Sequence, residues 1–308
     1  MIKFYKHKDI DLFKWDECIG SSINRRVQAF SWYLNVVTNN SWDALVLGDY
    51  DAVLPLPYRF KYGLKYIYMP YFIQSLGCFF KDKKDFSLFE DFANYLPGNI
   101  KFIDYNLQHN IKLLCDNKFV LTKKMNQVLD INNDYTKIFN SFNSSNKKNI
   151  KRSSFYNLKF EKNTSSLNAD DFVSFFKTHL SSSLDFAKKD YACLIDLIQV
   201  SVSKGKGVVY VTKKENTILN SVFLLLDNKR VYLLASASSK EGKKKKASFF
   251  MLNELIKNYC SNFNILDFCG SNIKGIYDYN KGFGASDKFY YNTKISKLRF
   301  PFSILKPI

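Results

Sequence analysis

The sequence predicts an α+β protein built from two tandem domains, each a mixed, mostly antiparallel sheet flanked by helices. Three observations carry that prediction. The chain has 308 residues, long for a single core and suited to two domains of roughly 100–200 residues each. Hydrophobic residues make up 46% and aromatics 17%, enough for packed interiors and too apolar for disorder. Strand and helix patterns also recur in the same order in the two halves, although the halves do not share sequence. The boundary is expected near 123–134, giving domains of residues 1–124 and 125–308.

In the first half, IKFYK reads as a strand, and the stretches around Leu12–Ile19 and Arg26–Val37 as two helices. DALVLG, AVLPLPYRF and LKYIYMP follow as strands rich in β-branched and aromatic residues. A helix around Asp85–Tyr95 and the strand KFIDYNL complete the set. QVLDI is an apolar strand, and YTKIFNSFNSSNKKNIKRS a basic, helix-like connector.

In the second half NLKFEKN alternates like a strand. NADDFVSFFKTHL opens on Asn168 as an N-cap, with acids in the first turn, where the helix dipole favours them. YACLIDLIQVSVSKG spaces Leu194, Ile198 and Val202 four apart, a helix that Gly205 ends. GVVYVTKK, ILNSVFLLLD and RVYLLASAS are strands joined by KEN and DNK, turns too short for anything but antiparallel hairpins. ASFFMLNELIKNY sets Ala247, Met251 and Leu255 on one face of an amphipathic helix. NILDF then reads as a short buried strand, NIKGIYDYNKGF as a short helix and DKFYYNTKI as a final strand.

The formal net charge is +18. It fits a phosphate-bearing or nucleic-acid partner, and it fits equally the Lys-, Asn- and Ile-rich usage of an AT-rich genome. The six cysteines, Cys18, Cys78, Cys115, Cys193, Cys260 and Cys269, include no C-x-x-C pair. That spacing argues against zinc or a disulfide framework and suits free thiols in a reducing compartment. No run of about 18 apolar residues predicts a membrane span, and MIKFYKHKDIDLFKW lacks the apolar core of a signal peptide. A cytoplasmic protein without a metal is expected. The sequence holds no G-x-x-x-x-G-K-[ST], H-E-x-x-H or G-x-S-x-G, which sets aside P-loop, zinc-protease and serine-hydrolase chemistry. Cys269 has no histidine partner in view among His7, His109 and His179 and reads as a small buried residue.

One junction invites a ligand. In LLASASSKEGKKKKASFFML a strand of small residues ends just before a helix begins. Helix N-termini leave unpaired N–H groups that favour phosphate. Gly242 would let the backbone turn closely, and Lys243 through Lys246 add positive charge; a solvated lysine loop is the competing reading.

The element order resembles the acetyltransferase fold of the GNAT superfamily, present twice as in FemAB-like proteins. The words LDFCGSNIKGIYDYNKGFGA, SSNKKNIKRS and WDALVLGDYDAVLPLPYRFKYGLKYIYMPYFIQSLGCF carry the resemblance. It implies transfer of an acyl or aminoacyl group from a thioester or a tRNA ester to an amine. It also implies a donor lying where the strands splay apart, over Ala237, Ser238, Gly242, Lys243, Lys246, Ala247 and Ser248, with Asn280 nearby. The family's Gln/Arg-x-x-Gly-x-Gly/Ala loop is absent, and only Gly242 and Ala247 remain as small residues in it. Asn280 stands where the family often has an acidic tyrosine, which leaves Tyr277 and Tyr279 as candidate proton donors. Asp267 is expected at the cleft, to hold the acceptor amine or to cap the next helix. Ser271 and Asn272 are N-caps or substrate contacts, and Tyr71 and Gln74 in the first domain are candidate acceptor contacts. The leading reading is transfer from acyl-CoA, acetyl-CoA first, to a small or nucleotide-linked amine in envelope or polysaccharide synthesis. The alternatives are a FemAB-type ligase that uses aminoacyl-tRNA, and a non-catalytic binding protein on the same scaffold.

Overall fold

Aromatic packing organises the first of two units, which comprises Met1–Lys124 together with Phe289–Ile308. The computed structural model describes residues 1–81, 92, 94–108, 120–163, 169–180, 185–270 and 273–296. Strand β1 (Ile2–Tyr5) is followed by helix α1 (Leu12–Ser21), whose first turn is capped by Asp11 accepting from the N–H groups of Phe13 and Lys14. The helix expected over Arg26–Val37 is interrupted: Val27–Ala29 form one 3-10 turn, Phe30 is extended, and α2 runs only over Ser31–Thr38. The Trp15 indole donates to the Ala29 carbonyl at 2.9 Å, so that carbonyl is used by a tertiary partner. Trp15 and Trp42 are both fully buried, with ring centroids 4.8 Å apart.

Strands β2 (Trp42–Leu47), β3 (Ala52–Lys61) and β4 (Leu64–Ile67) form an antiparallel meander beside β1. The run LKYIYMP yields a shorter strand than expected, ending ahead of Pro70, which has no N–H for a ladder. The short β5 (Phe79–Phe80) pairs with β3, and β6 (Phe102–Leu107) lies parallel to β4. The helix expected around Asp85–Tyr95 lies largely outside the described residues.

The second unit is Met125–Lys288. Strand β7 (Val120–Asp130) contains the QVLD of QVLDI, ends one residue short of Ile131 and extends well N-terminal of the run. The basic connector is two helices, α3 (Tyr135–Ser141) and α4 (Ser144–Ser153). Asp134 caps the first and Asn143 the second, accepting from the N–H groups of Lys137 and Asn146. Strand β8 (Lys159–Asn163) precedes α5 (Ala169–Leu180) and α6 (Lys188–Ser203); Asn168, the expected cap, lies outside the described residues. Strands β9 (Gly207–Lys214), β10 (Thr217–Asp227) and β11 (Arg230–Ser238) are joined by antiparallel hairpins. Glu215 and Asn228 sit in the left-handed region that such tight turns require.

After β11 come a single short helix α7 (Lys240–Lys244), the long helix α8 (Ala247–Tyr259), strand β12 (Ile265–Asp267), helix α9 (Lys274–Gly282) and strand β13 (Ser286–Ser296). Strand β12 is parallel to β11 and antiparallel to β7, and β8 closes the far side against β9. The sheet is therefore mixed and mostly antiparallel, as the alternation and turn lengths predict. Met251, Leu252, Leu255 and Ile256 of α8 pack on Leu224, Val231 and Leu266 of the sheet, and Phe283 joins the same core. The described end of β13 lies with the first unit, where Tyr291–Ser296 form an antiparallel ladder with β6.

Candidate functional site

The site follows from a mismatch in strand length. Strand β11 pairs with β10 along its whole course, with a bulge at Leu234, since Phe223 faces Ala235 and Leu224 faces Leu233. On its other edge β11 pairs with β12 only over Arg230–Tyr232. From Leu233 to Ser238 that edge has no strand partner among the described residues, and a cavity of about 690 Å³ opens beside it. Helix α8, the turn after β12 and one side of α9 from Gly275 to Asn280 form much of the remaining wall.

A buried polar cluster holds that turn. Asp267 is fully buried, receives Arg230 Nη1 on Oδ2 at 2.6 Å, and on Oδ1 accepts from Asn126 Nδ2 at 2.8 Å and the Cys269 N–H at 3.0 Å. Asn126 in turn accepts the Gly270 N–H at 2.8 Å. These bonds keep Cys269 and Gly270 at positive φ and direct the chain from β12 into α9. A second polar residue, Asn220 on β10, is also fully buried. Its amide nitrogen donates to the Ala237 carbonyl and to Ser238 Oγ, each at 2.8 Å. Its Oδ1 is buried with no hydrogen-bond partner among the described residues, and Asn220 is one of the residues that line the cavity.

The lysine-rich segment is a helix rather than an open loop. Ser239 caps α7 by accepting the Gly242 N–H at 2.9 Å. Gly242 is buried, and a Cβ there would collide with the Leu219 carbonyl of β10. Its glycine thus reflects the close seat of α7 on β10, where the sequence suggested a tight turn. Lys243 lines the cavity, whereas Lys245 pairs with Glu241 at 3.2 Å and sits over the Tyr156 ring at 5.0 Å. Lys243 is the one charged side chain among the cavity's described lining residues, which include no Asp, Glu or His. Among the described residues no group of three His, Cys, Asp or Glu side chains is set to hold a metal, and no helix is long and apolar enough to cross a membrane.

No family model and no curated protein matches the sequence. Solved structures do. FemX aligns over 96% of this chain and 98% of its own with a TM-score of 0.70 at 15% identity. The C-terminal domain of a protein named as a lysylphosphatidylglycerol synthetase, from Agrobacterium fabrum, gives a TM-score of 0.61 at 12% identity, over 96% of this chain and 94% of that one. A tandem GNAT protein from the clavulanic acid biosynthesis pathway gives 0.53 at 9% identity, over 97% and 99%. The chain has the tandem GNAT fold, shared with FemX.

On this GNAT fold the predicted donor-site residues Ala237, Ser238, Lys243, Ser248 and Asn280 line one cavity together with Tyr279. Gly242, Lys246 and Ala247 do not line it: Gly242 and Ala247 are buried in packing, and Lys246 is the left-handed residue that starts α8. Tyr279 donates its hydroxyl to the Ser248 carbonyl at 2.8 Å, and its ring packs on Phe249 and Phe283. Burial holds its hydroxyl pKa well above the usual tyrosine value. Tyr277 instead donates to Asp287 at 3.2 Å and is not part of the cavity wall. Asp267, expected to face the cleft, is spent on Arg230, Asn126 and the Cys269 N–H, so it orders the turn and does not face open space. Ser271 and Asn272 lie outside the described residues. Tyr71 and Gln74 belong to the first unit, where Tyr71 is 42% exposed and the Gln74 carbonyl accepts Asn106 Nδ2 at 2.9 Å. Sequence reasoning missed Asn220, Asn126 and Arg230. The one local signal was the Asn220-Ser221 pair inside the otherwise apolar run ILNSVFLLLD.

Proposed function

We propose that the protein is an acyltransferase that binds an acyl-CoA thioester in the cavity beside β11 and moves the acyl group to an amine. The observation that carries this reading is the unpaired edge of β11 from Leu233 to Ser238. An extended ligand arm with amide groups can add to such an edge as another strand would, and the pantetheine arm of coenzyme A is such an arm. Asn220 lines the cavity with a buried Oδ1 that has no partner among the described residues, and a small side-chain rotation that brought it to a ligand N–H would remove the penalty of an unmade bond. Lys243 supplies a cation for a phosphate, acting as a point charge where other loops use backbone amides.

The chemistry asks little of the protein. The amine lone pair attacks the thioester carbonyl, the C–S bond breaks, the departing thiolate takes the Tyr279 proton, and the proton given up by the nitrogen replaces it on Tyr279. N–H groups on the open edge of β11 are suited to steady the oxyanion. Burial raises the Tyr279 hydroxyl pKa, so the resting group is no base, and to serve as the donor its hydroxyl turns from the Ser248 carbonyl to the departing sulfur. With no carboxylate or histidine in the described cavity wall, the amine enters as its free base. An envelope acceptor is the extension that the likeness to a lysylphosphatidylglycerol synthetase domain supports. A tRNA-linked donor is the second reading, favoured by the exposed Lys148, Lys151 and Arg152 of α4.

The test is thiol release from acetyl-CoA and octanoyl-CoA with a panel of amines, run beside charged bulk tRNA. Turnover of a CoA thioester supports the reading. Transfer from charged tRNA, with neither binding nor turnover of any CoA thioester, would sink it.

A further inference from the structure

We infer that the acyl group carried in this cavity is an aliphatic chain longer than acetyl, and not an amino acid with a free ammonium. The inference rests on the acyl-CoA reading above and adds the substrate class. The wall around the β11 edge is built from Val222, Leu234, Met251, Leu255 and Phe268, with Ile276 of α9 at the rim. Ile276 is 47% exposed and its neighbour Ile273 is 64% exposed, so apolar surface continues from the interior to the mouth. The volume of about 690 Å³ must take the pantetheine arm as well as the acyl group, so the apolar character of the wall, and not its size, is what selects the chain.

Electrostatics points the same way. An ammonium inside an apolar wall loses its hydration and needs a carboxylate or several carbonyls in return. No Asp or Glu is among the described lining residues, their one charge, Lys243, has the wrong sign, and the carbonyls of the open β11 edge are those that the amide groups of the donor arm occupy. The buried carboxylate nearest in sequence to the cavity turn, Asp267, is already paired with Arg230. A methylene group, by contrast, meets neither penalty. Burying each one is worth about 0.8 kcal/mol, which is roughly fourfold in affinity.

Isothermal titration with free CoA and with acetyl-, butyryl-, hexanoyl- and octanoyl-CoA reads this directly. The Kd is expected to fall by about fourfold per added methylene until the cavity is filled. Butyryl-CoA and β-alanyl-CoA supply the sharper comparison, because they differ only by a terminal methyl against an ammonium. Butyryl-CoA is expected to bind at least tenfold more tightly. The half-exposed rim residue permits Ile276→Asp without disturbing the core, and this variant should weaken octanoyl-CoA far more than acetyl-CoA. Equal affinity across the chain-length series, or preference for β-alanyl-CoA over butyryl-CoA, overturns the inference while leaving the acyl-CoA reading intact. Failure of every species to bind, free CoA included, overturns the donor reading and this inference with it.

Discussion

Gly242→Ala separates two accounts of the lysine-rich segment. If Gly242 served a flexible loop or a backbone turn, alanine would cost little in this helical setting and would contribute up to about 1 kcal/mol of helix propensity. The structure gives the opposite sign. The new Cβ would sit against the Leu219 carbonyl oxygen, 2.9 Å from its carbon and 3.2 Å from Ser239 Oγ. That carbonyl cannot move freely, because it already accepts the Ser239 N–H at 3.0 Å. Overpacking costs about 1–3 kcal/mol and the strained hydrogen bond about 1 more. After the propensity gain, a net loss of about 1–3 kcal/mol remains. For a unit of this size that lowers Tm by about 2–4 °C per kcal/mol. The three tryptophans, Trp15, Trp32 and Trp42, all belong to the first unit, so the melt is followed by far-UV circular dichroism. Gly275→Ala in α9 is the control, since a Cβ there meets nothing within 4 Å, and it should be neutral or stabilising. If Gly242→Ala matches that control, the packing account of α7 is wrong.

Three further outcomes follow from the same geometry. Asp267→Asn removes the charge opposite Arg230, whose side chain is 25% exposed. It should cost about 3 kcal/mol, the lower end for breaking a buried pair, read by urea titration; a loss under about 0.5 kcal/mol would contradict the role given to the turn. Tyr279→Phe keeps the ring contacts with Phe249 and Phe283 and deletes the bond to the Ser248 carbonyl. Stability should fall by about 1 kcal/mol and acyl transfer by about 10²–10⁴-fold with little change in acyl-CoA affinity; undiminished transfer would remove Tyr279 from the chemistry. Burial pushes the Cys18 thiol up to about 11, and it raises the Tyr105, Tyr259 and Tyr279 hydroxyls above their usual value. Their folded pKa values exceed the unfolded ones, so the unfolded chain ionises first as pH rises. Stability should hold at neutral pH, decline from about pH 9 as thiols ionise, and fall faster above about pH 10. A urea midpoint that stayed constant from pH 7 to 10.5 would refute this.

Most of the architecture was legible because it is encoded locally. The three-residue connections KEN and DNK left hairpins as the one option, and the spacing of Ala247, Met251 and Leu255 marked α8. The misreadings share a cause: each depended on a partner far along the chain. The helix expected from Arg26 breaks because Trp15 takes the Ala29 carbonyl. Asp267 looked available because its partner Arg230 lies 37 residues away and Asn126 lies 141 away. Gly242 read as a turn glycine, yet what excludes a side chain there is the backbone of β10. The site itself was half visible. The small residues at the end of β11 were read from the strand–helix junction and the Tyr279-Asn280 pair from the terminal motif, and all line the cavity. The unpaired strand edge and the orphan oxygen of Asn220 are properties of register and packing, which no local pattern carries.

The central claim is that the open edge of β11 receives the donor, and hydrogen exchange of the Leu233–Ser238 peptide with and without acyl-CoA tests it most directly. Amides on an unpaired edge exchange readily, and a ligand arm bonded to them should slow that exchange in proportion to occupancy. The account requires protection in this peptide and in the turn around Cys269 at saturating acyl-CoA. Saturable binding that leaves Leu233–Ser238 unprotected, or protection confined to the first unit, would contradict it.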